Sequence, residues 1–159
     1  MSQWKSSACL VGPGERAFDV KTALLLLIGL FALLQAAVRL APTVPSRWHI
    51  DPFAAADPAP GGVLEVFTVP MEADEALARL AAIAETEPRT RHVAGSVEEG
   101  RLTYRTRTAF WGFPDFTTLA VRPHEAGAEV AILARLRFGK GDLGVNGRRV
   151  AAWRAAAGF

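Results

Sequence analysis

The chain has 159 residues, of which 50% are hydrophobic and 21% charged, with a formal net charge of +2. This length leaves room for about one domain, and the composition excludes a disordered polyelectrolyte. Three scattered histidines (His49, His92, His124) and a single cysteine offer no metal-binding spacing and no intramolecular disulfide, so we expect no metal site.

The charges are segregated along the chain. Residues 61–87 contain six acidic residues and one basic residue, whereas residues 88–159 contain twelve basic residues, eleven of them arginine, and six acidic ones. A guanidinium group presents a planar fork of donors that suits carboxylate or phosphate. An arginine-rich composition can also follow from a GC-rich genome. We expect no nucleic-acid partner.

Residues 23–40 (ALLLLIGLFALLQAAVRL) form an apolar run with one charge near its end. About 18 apolar residues in a helix span most of the hydrocarbon core of a bilayer. Residues 24–34 are apolar on every face, which disfavours a buried core helix. A cleaved signal peptide is the main alternative, with its best cleavage site at Ala36 or Ala37. We interpret 23–40 as an uncleaved transmembrane helix that follows an N-terminal tail at 1–22.

Basic residues flank this run on both sides. Lys5, Arg16 and Lys21 precede it, whereas Arg39 and Arg47 follow it. The slight excess before the helix favours a cytoplasmic N-terminus. The sequence therefore predicts a single-pass inner-membrane protein with a periplasmic C-terminal domain.

Residues 41–62 hold five of the ten prolines and end in two glycines. Such a composition is typical of an extended linker. Within it, Trp48 follows the transmembrane segment closely, and tryptophans there commonly lie at the headgroup level. Docking of Trp48 onto the domain is the alternative.

Residues 63–157 have the pattern of a folded domain. Alternation of apolar and polar residues predicts strands, and apolar spacing of three and four predicts helices. Leu143, Val150, Trp153 and Ala157 are expected to face inward from the last helix. In chain order we predict a strand at 63–69, a helix at 74–84, strands at 91–96, 101–110, 116–121 and 128–138, and a helix at 143–156, with Asp142 as its cap.

The order β-α-β-β-β-β-α with tight turns predicts an α+β fold. Strands joined by short turns pair in an antiparallel sheet, and both helices can then cover one face. The other face would be left uncovered.

Three phrases in the second half resemble a known family. They are PRTR followed by AGS at 88–96, FWGFPD at 110–115, and RLRFG at 135–139 leading to DLGVN at 142–146 and two arginines. In this order they are similar to domain of unknown function 1499 (DUF1499), over roughly residues 41–157. Gly141 departs from the pattern, where members often carry serine. The resemblance implies no activity.

No catalytic constellation is visible, and we expect no enzyme and no cofactor. Ser46 and Ser96 do not lie in a nucleophile elbow, and the glycines at 139–141 lack the spacing of a phosphate-binding loop. His92 with Asp115 is the best catalytic pair, but a surface histidine and a turn aspartate explain these residues better.

The alternating pattern instead predicts an anion-binding surface. Arg105 and Arg107 share one face of their strand, as do Arg135 and Arg137, so neighbouring strands would bring four guanidinium groups together on the uncovered face. A helix N-terminus at its end would also favour anions. The candidates are Arg105, Arg107, Arg135, Arg137, Lys140, Asn146 and Arg148. The alternative is a solvated face neutralised by Glu65, Glu98, Glu99 and Glu129.

Aromatic residues supply the second candidate surface. Residues 110–116 (FWGFPDF) hold four aromatics, and a hairpin tip cannot easily bury all of them. Trp48, Trp111 and Phe113 are therefore candidates for contact with the membrane or a partner. Packing at the end of the sheet is the alternative.

These features predict a membrane-anchored, non-enzymatic envelope protein. Its domain would bind anionic lipid headgroups, an acidic ligand or a protein partner through the arginine face. The alternative is a structural or assembly component of a membrane complex that acts through its transmembrane helix. An uncharacterised hydrolase is a more distant alternative.

Overall fold

The computed structural model describes residues 19–56 and 58–159. Most of the predicted tail at 1–22 lies outside the described residues, including Lys5 and Arg16, on which the predicted orientation partly depends. The chain divides into two compact units, Met1–Leu34 and Gln35–Phe159.

The first helix, α1 (Val20–Leu40), contains the predicted apolar segment. Its most apolar 18-residue window has a mean hydropathy of 2.3, and none of that window is buried. It is the one helix in the described part of the chain that is long and apolar enough to cross a membrane. These properties suit either a membrane anchor or a signal sequence.

The proline-rich segment after α1 is more structured than the extended linker predicted from its composition. A four-residue helix, α2 (Pro45–Trp48), is followed by a 3-10 turn (Pro52–Ala54). Each begins with proline, whose fixed φ and missing N–H are tolerated in the first turn of a helix. Asp51 Oδ1 accepts a hydrogen bond from the Phe53 N–H at 2.9 Å and so caps the 3-10 turn.

The domain is built on an antiparallel sheet in the order β1-β5-β4-β3-β2, which confirms the predicted α+β class. The first strand pairs with the last because a helix carries the chain from one edge of the sheet to the other. The strands are β1 (Val63–Val69), β2 (Thr90–Ser96), β3 (Arg101–Arg107), β4 (Pro114–His124) and β5 (Gly127–Leu136).

Two helices, α3 (Ala73–Thr86) and α4 (Val145–Ala156), form a hydrophobic core with the sheet. The crossover helix α3 buries Leu77 and Leu80, whereas α4 buries Val150 and Trp153. Trp153 lies edge-on to Tyr104 of β3, with 6.4 Å between ring centroids. The inward positions predicted for Val150, Trp153 and Ala157 are confirmed, since all three are buried.

The helix α4 begins at Val145, two residues later than predicted. Gly144 occupies the N-cap position, and Asp142, two residues earlier, accepts hydrogen bonds through its carboxylate from the N–H groups of Gly144 and Asn146. Leu143 was predicted to face inward, but it is 95% exposed and lies before the helix with a left-handed φ of 54°. Asn146, fully buried, takes the inward position at this end.

The second face of the sheet was expected to be uncovered, and this expectation is wrong. Trp48 is buried and stacks on Phe116 of β4, with ring centroids 4.0 Å apart and an interplanar angle of 11°. Thr118 donates a hydrogen bond to the Trp48 carbonyl at 3.0 Å, and His49 Nδ1 lies 2.9 Å from Thr103 Oγ1. The linker therefore packs on this face as part of the domain.

We predict that Trp48→Ala lowers the free energy of unfolding of the domain by about 3–5 kcal/mol, because the change leaves a cavity over Phe116. The measurement is urea denaturation of the full chain in detergent micelles, followed by near-ultraviolet circular dichroism. Trp48→Phe is the control, since a phenyl ring preserves the stacking and should lose much less. Equal losses for the two variants would contradict the docked position of the linker.

Candidate functional site

The four predicted arginines lie on the linker-covered face but not on neighbouring strands. Arg105 and Arg107 belong to β3 and Arg135 belongs to β5, and β4 separates these strands. Arg137 follows directly after the end of β5. The predicted convergence required these strands to be neighbours, and they are not, because the hairpin at 110–113 returns the chain through the centre of the sheet.

These arginines donate hydrogen bonds to the end of α1 and to the linker. Arg107 bonds to the carbonyls of Val38 at 3.5 Å and Arg39 at 3.0 Å, and Arg137 bonds to the Ala41 carbonyl at 3.5 Å. The last four carbonyls of a helix lack partners within it and carry its negative dipole end. Guanidinium groups therefore satisfy this helix terminus both as donors and as charges.

Arg105 and Arg135 bind the linker at residues that follow in the chain. Arg105 Nη1 donates to Thr43 Oγ1 at 3.2 Å, and Arg135 Nη2 donates to the Trp48 carbonyl at 2.6 Å. The Arg135 guanidinium also lies 5.1 Å from the centroid of the Trp48 ring, and burial lowers its pKa. These contacts clamp the linker onto the sheet.

The other three anion-binding candidates are spread over the start of α4. Lys140 is exposed in the preceding turn, and Arg148 Nη1 donates to the Leu143 carbonyl at 3.0 Å. Asn146 donates to the Gly61 carbonyl at 3.1 Å and accepts from Arg149 Nη1 at 2.7 Å, so its amide is occupied within the fold. Arg148 and Arg107 line a common cavity of about 390 Å³. Whether any of these residues binds an anion stays a prediction.

A buried ion pair lies on the helix side of the sheet. The side chains of Asp115 and Arg149 are 5% and 8% exposed, with 3.8 Å between Oδ2 and Nη2. Burial raises the pKa of Asp115 to about 6, and the opposing attraction of Arg149 does not cancel this effect. Asp115 is thus held by Arg149, and His92 lies instead against Tyr104. Both residues lie in the phrases at 110–115 and 142–149, but nothing in the sequence pairs them, because they are far apart in the chain.

We predict that the stability of Asp115→Asn relative to the wild type increases as the pH rises from 4 to 6.5. A carboxyl whose folded pKa lies above its unfolded value binds protons more tightly when folded, so stability is lost as the pH rises through this window. The gain should reach on the order of 2 kcal/mol. Thermal unfolding at a series of pH values measures it.

The matched control is Glu125→Gln, which removes an exposed carboxyl from the turn between β4 and β5. Its stability profile should run parallel to that of the wild type. Parallel profiles for Asp115→Asn as well would show that Asp115 titrates normally in the folded protein.

The aromatic hairpin between β3 and β4 is largely exposed at its tip. Phe110 is 68% and Trp111 43% exposed, whereas Phe116 is fully buried. The strand predicted to reach 110 ends at Arg107, which places Phe110 in the turn. Trp111 stacks on Phe113 at 6.1 Å between centroids, and Phe113 contacts Phe138 at 5.9 Å. We call Phe110, Trp111, Phe113 and Phe138 the aromatic tip.

The aromatic tip is fastened to the last turn of α1. Arg107 Nη1 donates to the Gly112 carbonyl at 2.7 Å, and the same guanidinium bonds to the end of α1. Gly112 has a φ of 70°, and a Cβ there would lie 3.3 Å from Arg39 Cζ. Trp111 and Phe113 lie side by side in the aromatic tip. Trp48, the third residue predicted to contact the membrane or a partner, is instead buried on the sheet.

Five arginines, three of them absent from the predicted set, line a cleft beside this hairpin. They are Arg39, Arg89, Arg91, Arg105 and Arg107. The PRTR phrase contains Arg89 and Arg91, but nothing in the sequence indicated that this phrase lies beside the end of α1. Within residues 19–56 and 58–159 no group of three or more His, Cys, Asp or Glu side chains has the arrangement of a metal site.

The fold and this surface define a small α+β domain with a basic, arginine-clamped face, preceded by an apolar helix. The chain matches the family model "Protein of unknown function (DUF1499)" over residues 40–156. The chain therefore belongs to this family, as the three phrases at 88–149 predicted.

Two solved structures have a distant similarity to this chain. Protein MLL2253 from Mesorhizobium loti matches with a TM-score of 0.48 and 9% identity, over 60% of this chain and 93% of its own. Protein CV1439 from Chromobacterium violaceum matches with a TM-score of 0.42 and 11% identity, over 62% of this chain and 92% of its own. No curated protein matches the sequence. Identities this low transfer no function to this chain.

Proposed function

We propose that this protein is a single-pass inner-membrane protein whose periplasmic domain lies at the bilayer surface and acts as a non-enzymatic binding module. One observation carries the proposal: Arg107 joins the hairpin that bears the aromatic tip to the last turn of the apolar helix α1. In a spanning helix that turn lies at the edge of the hydrocarbon core. The aromatic tip is then held at the headgroup level.

The composition of this surface suits a membrane interface. Tryptophan and phenylalanine side chains at that depth bury apolar rings while remaining near polar headgroups. Arginines around them are attracted to anionic lipids, each by about 1 kcal/mol near the surface. The bilayer is therefore the partner that this surface fits best, and its anionic lipids are the proposed ligands.

We predict that Trp111 is quenched by lipids brominated close to the headgroup end of their acyl chains. The full chain carrying Trp4→Phe, which removes the tryptophan of the N-terminal tail, is reconstituted into phosphatidylcholine vesicles with and without the brominated lipid, and tryptophan fluorescence is compared. Trp111→Phe should abolish most of the quenching that the domain contributes, because Trp48 and Trp153 are buried in the fold.

Trp48→Phe is the matched control, and it should leave the quenching of the reconstituted chain largely unchanged. If Trp111→Phe is quenched as strongly as the wild type, the aromatic tip does not touch the bilayer. The assembly function through α1 then becomes the better account.

We expect alkaline phosphatase fused after Phe159 to be active in a bacterial host, because that enzyme matures only in the periplasm. The same fusion on a chain from which residues 20–40 have been deleted serves as the control and should be inactive. An inactive fusion on the full chain would place the domain in the cytoplasm.

A further inference from the structure

The cleft beside the last turn of α1 has a volume of about 230 Å³, and the charged side chains that line it are all positive. Five arginines line it together with small residues of the hairpin, and no acidic residue within 19–56 or 58–159 does. None of these five arginines forms an ion pair within 4.0 Å in the part of the chain that the structure describes. Other arginines of the domain, such as Arg79 and Arg122, are paired with glutamates.

No carboxylate of the described residues lies within 4.0 Å of these guanidinium groups to balance their positive charge. Burial lowers the pKa of Arg107, and repulsion from Arg105, Arg39 and Arg137 lowers it further. Like charges held together in a partly dehydrated site raise the free energy of the fold. A bound anion would remove this penalty.

Several guanidinium donors in the cleft are available to a ligand. Arg39 and Arg89 use only Nε, for Gln35 Oε1 and the Arg107 carbonyl respectively. The Arg91 guanidinium donates no hydrogen bond to any residue in the described ranges, and Arg91 is exposed. The Nη groups of Arg39 and Arg89 are likewise without protein acceptors there. Paired Nη groups of several arginines match the oxygens of a phosphate group.

The backbone at Arg89 supports a dedicated role for its side chain. Its φ of 62° lies in the left-handed region, which non-glycine residues rarely adopt. The Nε bond to the Arg107 carbonyl at 3.2 Å fixes the guanidinium beside the end of β3. Strained residues held by their surroundings cluster at binding sites.

We propose that this cleft binds a phosphate group, and that the phosphate belongs to the headgroup of an anionic phospholipid. The choice of a lipid over free phosphate rests on the proposed function, because Arg39 belongs to the last turn of α1 and its guanidinium packs against Gly112. In a spanning helix this position coincides with the phosphate level of the bilayer. The site uses Arg39, Arg89 and Arg91 in addition to residues of the sheet face.

The test measures lipid binding to the full chain in detergent micelles by native mass spectrometry. Phosphatidylglycerol and phosphatidylcholine are titrated separately onto the wild type and onto the double variant Arg89→Gln, Arg91→Gln. We expect the wild type to prefer phosphatidylglycerol, and the double variant to bind it about tenfold more weakly, since charge-assisted hydrogen bonds are lost. Its binding of phosphatidylcholine should change little.

Arg79→Gln with Arg122→Gln is the matched control, because it removes the same charge from outside the cleft. It should bind phosphatidylglycerol like the wild type. Equal weakening in both double variants would mean that only the net charge matters, and would overturn the proposal. Arg91→Glu is a second variant at an exposed position that the fold does not use, and it should weaken binding at least as much.

Competition separates the two sources of phosphate. Inorganic phosphate or glycerol phosphate that displaces phosphatidylglycerol at comparable concentration would overturn the assignment to a lipid. A different result contradicts the proposed function: the absence of quenching of Trp111 by brominated lipid. If Trp111 is quenched and the Arg89, Arg91 variant still binds phosphatidylglycerol normally, the proposed function stands and the phosphate site does not.

Discussion

Hydrogen bonds from the arginines of the sheet to the backbone of residues 38–48 are the interactions on which the rest of the structure depends. A helix ends with unpaired carbonyls, and a proline-rich segment lacks N–H groups with which to join a sheet. Arg107, Arg135 and Arg137 supply the missing donors. The segment after α1 is thereby held on a face of the sheet that would otherwise be open to water.

The same contacts determine what remains for a ligand. Arg135 is largely committed to the Trp48 carbonyl and ring, whereas Arg89 and Arg91 have donors without protein acceptors in the described ranges. Gathering arginines at one helix end also concentrates positive charge, and no carboxylate of the described residues forms an ion pair with Arg39, Arg89, Arg91, Arg105 or Arg107. The arginines that hold the linker and the arginines that line the cleft are therefore adjacent parts of one basic surface. Arg107 belongs to both groups.

The docked linker changes how the domain should be delimited. The predicted domain begins at 63, but Trp48 on Phe116 and His49 beside Thr103 make residues 45–54 part of the packed unit. The family match, which begins at residue 40, also includes these residues. A fragment that starts at 61 would expose Phe116 and leave the arginine donors without their carbonyl partners.

The sequence by itself determined the apolar helix, the α+β class, the chain positions of the strands and helices to within a few residues, and the family. Hydrophobic periodicity and turn residues are local signals, and they persist in any arrangement of the elements. Only the tertiary structure decided that β4 separates β3 from β5, that Trp48 is buried, and that Arg39, Arg89 and Arg91 share a cleft. These facts depend on pairing and docking between residues distant in the chain, and no local pattern records which partners meet.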